Sequence, residues 1–232
     1  MPIYRLDRRV PLFPPPEHAE EDGLLAVGGD LSVPRLLEAY RNGIFPWFEP
    51  GEEPLWWCPS PRLILEPRGL VVSRSLRATL RKGLYEVRVD TAFGDVIHAC
   101  AAIKRAHEDG TWISRDIERS YTKLFDLGYA HSFEAWSGGE LVGGLYGICL
   151  GRAFFGESMF AKKTDASKVA VVALAEECAR REIAFIDCQI TSAHLLSLGA
   201  FEVPRADFLS RLRAAVGHAS PLGRWTIAPA SP

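Results

Sequence analysis

The chain has 232 residues, of which 47% are hydrophobic and 24% charged, with a formal net charge of −2. That is the balance of an ordinary globular protein, long enough for one large domain or two small ones, and it argues against a protein that coats long nucleic-acid duplexes. The longest purely aliphatic run, Val169 to Ala175, is far too short to span a bilayer, and Met1 to Glu20 carries no apolar stretch of the kind a secretory signal needs.

The five cysteines are odd in number, include no CxxC pair and sit mostly in apolar surroundings. They read as small core residues in a reducing cytoplasm. The histidines include no HExxH, so no metal site is expected. Charge is distributed unevenly. Residues 1–60 carry five basic and ten acidic side chains, whereas residues 61–90 carry seven basic and three acidic ones. A local basic patch on a near-neutral protein suits a short stretch of phosphates.

In chain order, Pro11, Pro14, Pro15 and Pro16 keep the start extended. Gly28-Gly29-Asp30-Leu31-Ser32 predicts a turn with Ser32 as the N-cap of a helix ending near Gly43. The aromatic stretch through Trp47, Trp56 and Trp57 shows little strand or helix periodicity, which predicts a small N-terminal domain with irregular walls. From Leu63 the pattern becomes regular. Short strands are expected at Leu63–Leu65 and Leu70–Val72, and a helix capped by Ser73 and ending near Gly83. A strand Tyr85–Val89, a helix Thr91–Ala106 and a helix Ile117–Leu127 follow. His131–Trp136 and Glu140–Leu150 form a hairpin through Ser137-Gly138-Gly139, followed by a strand Ala153–Phe160 and a helix Ala166–Arg180. A strand Ile183–Ile190 and a short helix Ala193–Leu198 complete a mixed α/β domain with a central sheet.

The strand Ile183–Ile190 carries the clearest signal. Side chains alternate along a strand, so Asp187 and Gln189 share one face with Phe185 behind them, and Ile186 and Cys188 face the core. A buried carboxylate needs partners or a task. It either ties down a neighbouring loop or marks a site, and the strand alone does not choose between them. Glu157, an acid among phenylalanines, either holds an amine or pairs internally. Arg74, Arg77 and Arg81 share one face of their helix with Lys82 beyond, without local acidic partners, which favours phosphate binding over a plain solvated face. Gly143-Gly144-Leu145-Tyr146-Gly147 precedes no helix and reads as a strand needing close backbone approach.

The segment Ser192 to Phe201 resembles the strand–helix–Gly–Phe ending of acetyltransferase-type folds. The turn Ala161 to Ser167 has no glycine to wrap a coenzyme A pyrophosphate, so another donor is expected. The strings Gly23-Leu24-Leu25-Ala26-Val27-Gly28-Gly29-Asp30-Leu31, Tyr40-Arg41-Asn42-Gly43-Ile44-Phe45-Pro46-Trp47-Phe48, Trp56-Trp57-Cys58-Pro59, Gly110-Thr111-Trp112-Ile113, Phe155-Gly156-Glu157-Ser158-Met159-Phe160 and Ile186-Asp187-Cys188-Gln189 occur in that order. Together they resemble the bacterial leucyl/phenylalanyl-tRNA protein transferase family, over nearly the whole chain from Gly23 to Arg205.

The resemblance implies an α+β fold, with a small N-terminal domain over residues 1–62 and an acetyltransferase-like (GNAT-like) mixed α/β catalytic domain over residues 63–232. It implies transfer of Leu, Phe or Met from aminoacyl-tRNA to the N-terminal Lys or Arg of an acceptor protein, marking it for N-degron degradation. It implies no metal, no other cofactor and no ATP at the transfer step; a cytoplasmic location is expected from the cysteines, and a monomer is expected without a sequence signal of its own. By the same resemblance, Trp47 stacks on the terminal adenine with Tyr40 nearby, and Trp112 and Tyr121 belong to the donor site. Glu157 holds the donor α-amino group, and Leu145 and Met159 are walls of the amino-acid pocket. Arg74, Arg77, Arg81 and Lys82 meet the acceptor stem, and Asp187 and Gln189 are the catalytic pair. Leu145 stands where some relatives have Met, which bears on the preference among Leu, Phe and Met. Gln189 is a neutral amide and cannot be the base by itself. Asp187 takes the proton directly or through Gln189, or Gln189 only orients the amine while the tRNA ribose hydroxyl shuttles the proton. A non-catalytic RNA-binding protein would explain the basic helix and the tryptophans, but not Glu157, Asp187 and Gln189. An acetyl-CoA-dependent N-acyltransferase is disfavoured by the glycine-free turn.

Overall fold

A computed structural model of the chain describes residues 3–103 and 111–226. The N-terminal region is more regular than its prolines suggest. Strand β1 (Tyr4–Leu6) lies parallel to β2 (Leu24–Gly28), and β4 (Leu55–Trp57) runs antiparallel to both β2 and β3 (Phe45–Pro46), giving a small sheet of order β1-β2-β4-β3. The expected irregular walls are therefore a sheet. Its strands are too short to show alternation, but their aromatics still pack. Trp56 is fully buried, donates Nε1–H to the Gly28 carbonyl at 2.9 Å and meets Phe13 edge-on at 4.8 Å. Helix α1 (Val33–Arg41) begins after Ser32 with Pro34 in its first turn. The Ser32 hydroxyl donates to Asp30 Oδ1 at 2.8 Å instead of capping the helix.

The second sheet begins with β5 (Arg62–Leu65). Helix α2 (Arg74–Arg81), capped by the Ser73 hydroxyl, leads to β6 (Glu86–Val89), α3 (Phe93–Ala102), α4 (Arg115–Asp126) and the hairpin β7 (Ala130–Ser137) and β8 (Glu140–Leu150). Then come β9 (Ala153–Ala161), α5 (Ala166–Arg180), β10 (Phe185–Gln189), α6 (Ala193–Leu196), β11 (Phe201–Val203) and α7 (Arg205–Val216). The order is β11-β5-β10-β9-β8-β7-β6, antiparallel except for the β9–β10 pair, which α5 connects as a crossover. The last part of the helix expected to reach Ala106 lies outside the described residues.

Two expectations are corrected here. Leu70–Val72 is not a strand. A 3-10 turn at Pro67–Gly69 precedes it, and the segment is held by the Val71 N–H donating to the Leu198 carbonyl at 2.8 Å and Arg77 Nε donating to the Val72 carbonyl at 3.1 Å. The strand expected over Ile183–Ile190 is shorter. It starts at Phe185 and ends where the pairing with β5 shifts register between Asp187 and Gln189. Gly143 does serve close approach, since a Cβ there would meet the Ala166 Cβ at 2.5 Å.

The sheet has a core on each face. Phe93, Tyr121, Tyr146, Phe155 and Phe208 lie in one, continuous with the N-terminal sheet, and α5 covers the other. Trp225, from the C-terminal segment, is 1% exposed in this second core. Its ring stacks on His131 at 3.9 Å, and its backbone N–H donates to Asp90 Oδ2 at 2.7 Å. Cys58, Cys100, Cys149 and Cys178 are buried, Cys188 is half-buried, and all are free thiols, as expected of core residues.

Candidate active site

The site is built by two strands that part. β9 and β10 pair in parallel as far as Phe155 and Asp187. Beyond that point Gln189 takes a left-handed conformation, φ +63°, which a non-glycine side chain adopts at a cost unless its surroundings fix it. Asp187 Oδ1 accepts the Gln189 N–H at 2.9 Å and so fixes it. The strands diverge, and the wedge between them opens a cavity of about 610 Å³. Its inner wall is apolar, with Leu145 and Met159 from the β8–β9 pair, Val171 and Leu174 from α5, and Ile186 and Cys188 from β10. Trp47 and Trp112 also line it. Trp47 is 41% exposed, and the Trp112 ring is buried.

The polar side of the wall is a chain of hydrogen bonds centred on Glu157. Gln189 donates Nε2–H to Glu157 Oε1 at 2.9 Å, Tyr121 donates its hydroxyl to Oε2 at 3.0 Å, and the Tyr40 and Tyr121 hydroxyls share a short hydrogen bond. Burial pushes the Glu157 carboxyl up to about 7. The Tyr40 and Tyr121 hydroxyls and the Gln189 amide oppose this shift, and the Asp187 charge adds to it. Burial also pushes both tyrosines well above the ordinary phenol range, so they are neutral donors. Tyr40 and Tyr121 are fully buried and lie behind Glu157 rather than on the cavity wall. They reach the cavity only through that carboxylate.

Asp187 is also placed differently from the simple alternation. It does not line the cavity, whereas Ile186 and Cys188, expected on the opposite face, line it together with Gln189. Arg62 Nε donates to Asp187 Oδ1 at 2.8 Å and Nη2 to Oδ2 at 2.6 Å, and neither side chain is exposed. The guanidinium lies over the Phe45 ring at 4.8 Å and the Phe208 ring at 4.5 Å. Arg62 is the residue that sequence reasoning missed. Its signal, an arginine opening an apolar strand, is hidden in the sequence by the basic stretch of residues 61–90 to which it belongs.

Arg74, Arg77, Arg81 and Lys82 are exposed on or next to α2, as expected, while Leu76 is buried beneath them. Among the described residues none of the four has an acidic partner. The site thus brings together Trp47, Trp112, Leu145, Glu157, Met159 and Gln189 around one cavity, with Tyr40, Tyr121 and Asp187 supporting it from behind.

Residues 64–213 match the sequence pattern of the family described as Leucyl/phenylalanyl-tRNA protein transferase, and residues 29–60 match that of the Leucyl/phenylalanyl-tRNA protein transferase N-terminal domain. Curated relatives carrying the name leucyl/phenylalanyl-tRNA protein transferase include one from Anaeromyxobacter sp. (strain Fw109-5), 55% identical over 98% of this chain and 96% of its own. A second, from Aromatoleum aromaticum, is 58% identical over 93% of this chain and 92% of its own. A third, from Desulfatibacillum aliphaticivorans, is 52% identical over 98% and 97% respectively.

Proposed function

The chain belongs to the leucyl/phenylalanyl-tRNA protein transferase family, and from that premise we propose how its cavity works. The chain is an aminoacyl-tRNA protein transferase that moves an amino acid from tRNA to a protein N-terminus. In our reading the acceptors begin with Lys or Arg and the donors carry Leu, Phe or Met. The product enters N-degron degradation, and the enzyme works as a cytoplasmic monomer. We further read residues 1–62 as a small N-terminal domain and residues 63–232 as a GNAT-like catalytic domain.

The donor amino-acid side chain enters the apolar end of the wedge, between Leu145 and Met159. Methionine adapts to unbranched chains, whereas a β-branched side chain fixes its bulk next to the Cα. Trp47, with an exposed indole face at the cavity, takes the terminal adenine by stacking. Trp112 flanks the aminoacyl group, and Glu157 receives the donor α-amino group, held for it by Tyr121, Tyr40 and Gln189. Arg74, Arg77, Arg81 and Lys82 meet the phosphates of the acceptor stem.

The ester is already activated, so the protein's main task is to hold two substrates in reach. An α-amine has an ordinary pKa of about 7.7–8.0, so a neutral fraction is present near neutral pH. The amine nitrogen bonds to the ester carbonyl carbon, the carbon–oxygen bond to the ribose breaks, and the released ribose hydroxyl ends with the proton that the amine gives up. Gln189 with Asp187 behind it forms the catalytic pair. Gln189 spends its amide N–H on Glu157, which leaves its carbonyl oxygen as the acceptor for the attacking amine.

The observation that carries this reading is that Glu157 is the one carboxylate among the described residues lining the cavity, opposite its apolar inner wall, with an exposed tryptophan at the same cavity. The test is transfer of radiolabelled leucine or phenylalanine from tRNA to peptides that differ only in their first residue. Label should pass to Arg- and Lys-starting peptides and not to an Asp-starting one. Binding of charged tRNA without transfer to any peptide would return the chain to the RNA-binding reading. Equal transfer from leucine and isoleucine donors would refute the pocket assignment.

A further inference from the structure

We propose that Arg62 is a positioning residue of the transfer reaction: it holds both oxygens of Asp187 and so makes that carboxylate the anchor of the turn at Gln189, not a proton acceptor. The inference rests on the transfer reading above and specifies how its catalytic pair acts.

Three features of the geometry lead there. The first is saturation. A carboxylate that acts as a base must aim an oxygen at the proton it takes. Asp187 Oδ1 already accepts from Arg62 Nε and from the Gln189 N–H, and Oδ2 accepts from Arg62 Nη2. The second is placement. Asp187 is fully buried and absent from the cavity wall, which Glu157 and Gln189 line. The third is backbone shape. Gln189 sits in the left-handed region at φ +63°, and the strand's register breaks between Asp187 and Gln189. This kink turns the Gln189 side chain toward Glu157. The bond from the Gln189 N–H to Asp187 Oδ1 spans it.

Arg62 is in turn held rigidly. Its planar group lies over Phe45 and Phe208, and a bidentate pair of this kind has one geometry. Phe45 precedes Trp47 by two residues and lines the same cavity. The clamp therefore ties the aromatic part of the wall to the Gln189 turn. A lysine at 62 would keep the charge but could not hold both oxygens and both rings.

A double-mutant cycle tests this. Asp187→Asn alone leaves Arg62 buried without its counter-charge, and Arg62→Gln alone does the same to Asp187. Arg62→Gln with Asp187→Asn replaces the ion pair by two amides that hydrogen-bond to each other, and Asn Oδ1 still accepts the Gln189 N–H. It contains no base at 187. Single-turnover transfer from leucyl-tRNA to an Arg-starting peptide is measured with all four proteins, with melting temperature and binding of a non-hydrolysable aminoacyl-adenosine followed in parallel. The double variant should transfer within about tenfold of the parent and at least about tenfold faster than Asp187→Asn, a strong positive coupling. A double variant that folds and binds the donor normally but is about 10²–10⁴-fold slow, no better than Asp187→Asn, would make Asp187 a base and overturn the proposal. If the double variant does not fold, Arg62→Lys decides. Donor binding unchanged with slowed turnover supports positioning, and turnover equal to the parent's refutes it. An inactive parent protein would instead count against the transfer reading itself.

Discussion

Two carboxylates on strands that flank β8 meet different fates. Glu134, on β7, accepts hydrogen bonds from the Thr91 and Ala92 backbone N–H groups at 2.9 and 2.8 Å, the Ser132 hydroxyl at 2.9 Å and the Trp136 indole at 3.2 Å, with the Thr91 hydroxyl as a further close donor. Glu157, on β9, has the Tyr121 hydroxyl and the Gln189 amide with the Tyr40 hydroxyl close by, and burial still pushes it up to about 7. The first is satisfied on all sides and pins the start of α3 to the sheet. The second is left short of donors at a cavity wall, where an incoming amine can supply what is missing. A buried acid surrounded by donors is structure, and one left short at a cavity is a candidate site. By that measure Asp187, with Arg62 and the Gln189 N–H on its oxygens, belongs with Glu134.

The sharpest way to break this comparison is to remove Arg62. Arg62→Gln leaves Asp187 as an uncompensated buried charge and should cost about 3–5 kcal/mol in urea unfolding. A cost under about 1 kcal/mol would mean that the pair is not the anchor described here. Next, Glu134→Gln should cost about 2–3 kcal/mol, because several buried donors lose a charged acceptor. The single-turnover rate of the folded protein should not change. A slow but stable Glu134→Gln would put that carboxylate on the functional side.

Glu157→Gln should move stability the other way. The folded carboxyl titrates at about 7 and the unfolded one at 4.5. Between these values the folded chain keeps a proton that the unfolded chain has released, so stability falls as pH rises through this window. The variant should lack this fall and gain about 1–2 kcal/mol over the parent at pH 8, with no gain near pH 4, while losing donor binding. Parallel melting curves across that range would refute the assignment. The smallest stability effect belongs to the exposed helix. Arg77→Glu with Arg81→Glu should change stability by less than about 0.5 kcal/mol. It should nevertheless weaken charged-tRNA binding and flatten its log–log salt dependence by about 1.5–2 units. A short aminoacyl-adenosine donor should be spared, and equal losses with both donors would point to a core role.

These comparisons also show how far the sequence alone could be read. Helices α2, α4 and α5 were legible from their apolar periods, and Ser73 caps the first as expected, while α4 starts two residues before Ile117, behind a Ser114 cap that was not among the expected ones. Asp187 and Gln189 stood out because polar residues interrupt an apolar strand, and Glu157 because it sits among phenylalanines. The partners of these residues were not legible. Arg62 lies 125 positions from Asp187 and Tyr121 lies 36 from Glu157, and no local pattern encodes such pairings. Nor does a two-residue period foretell that Gln189 turns left-handed and breaks its own ladder. The N-terminal sheet escaped for a related reason. Its longest strand is five residues and its shortest two, below the length at which alternation can be counted.

The burial of Trp225 has a consequence for how the molecule is made. This indole fills the core between the sheet and α5, against Phe133, Phe154 and the Arg181 guanidinium. It is the last of the described core residues to leave the ribosome. The N-terminal sheet and the hairpin β7–β8 can collapse while synthesis proceeds, but the α5 side stays open until the tail arrives to close it. Protection of that face should therefore appear later than protection of the N-terminal sheet, once the segment carrying Trp225 can reach it. A chain ending before Trp225 should behave as a permanently unfinished one, digested from the α5 side by a protease that leaves the N-terminal sheet intact.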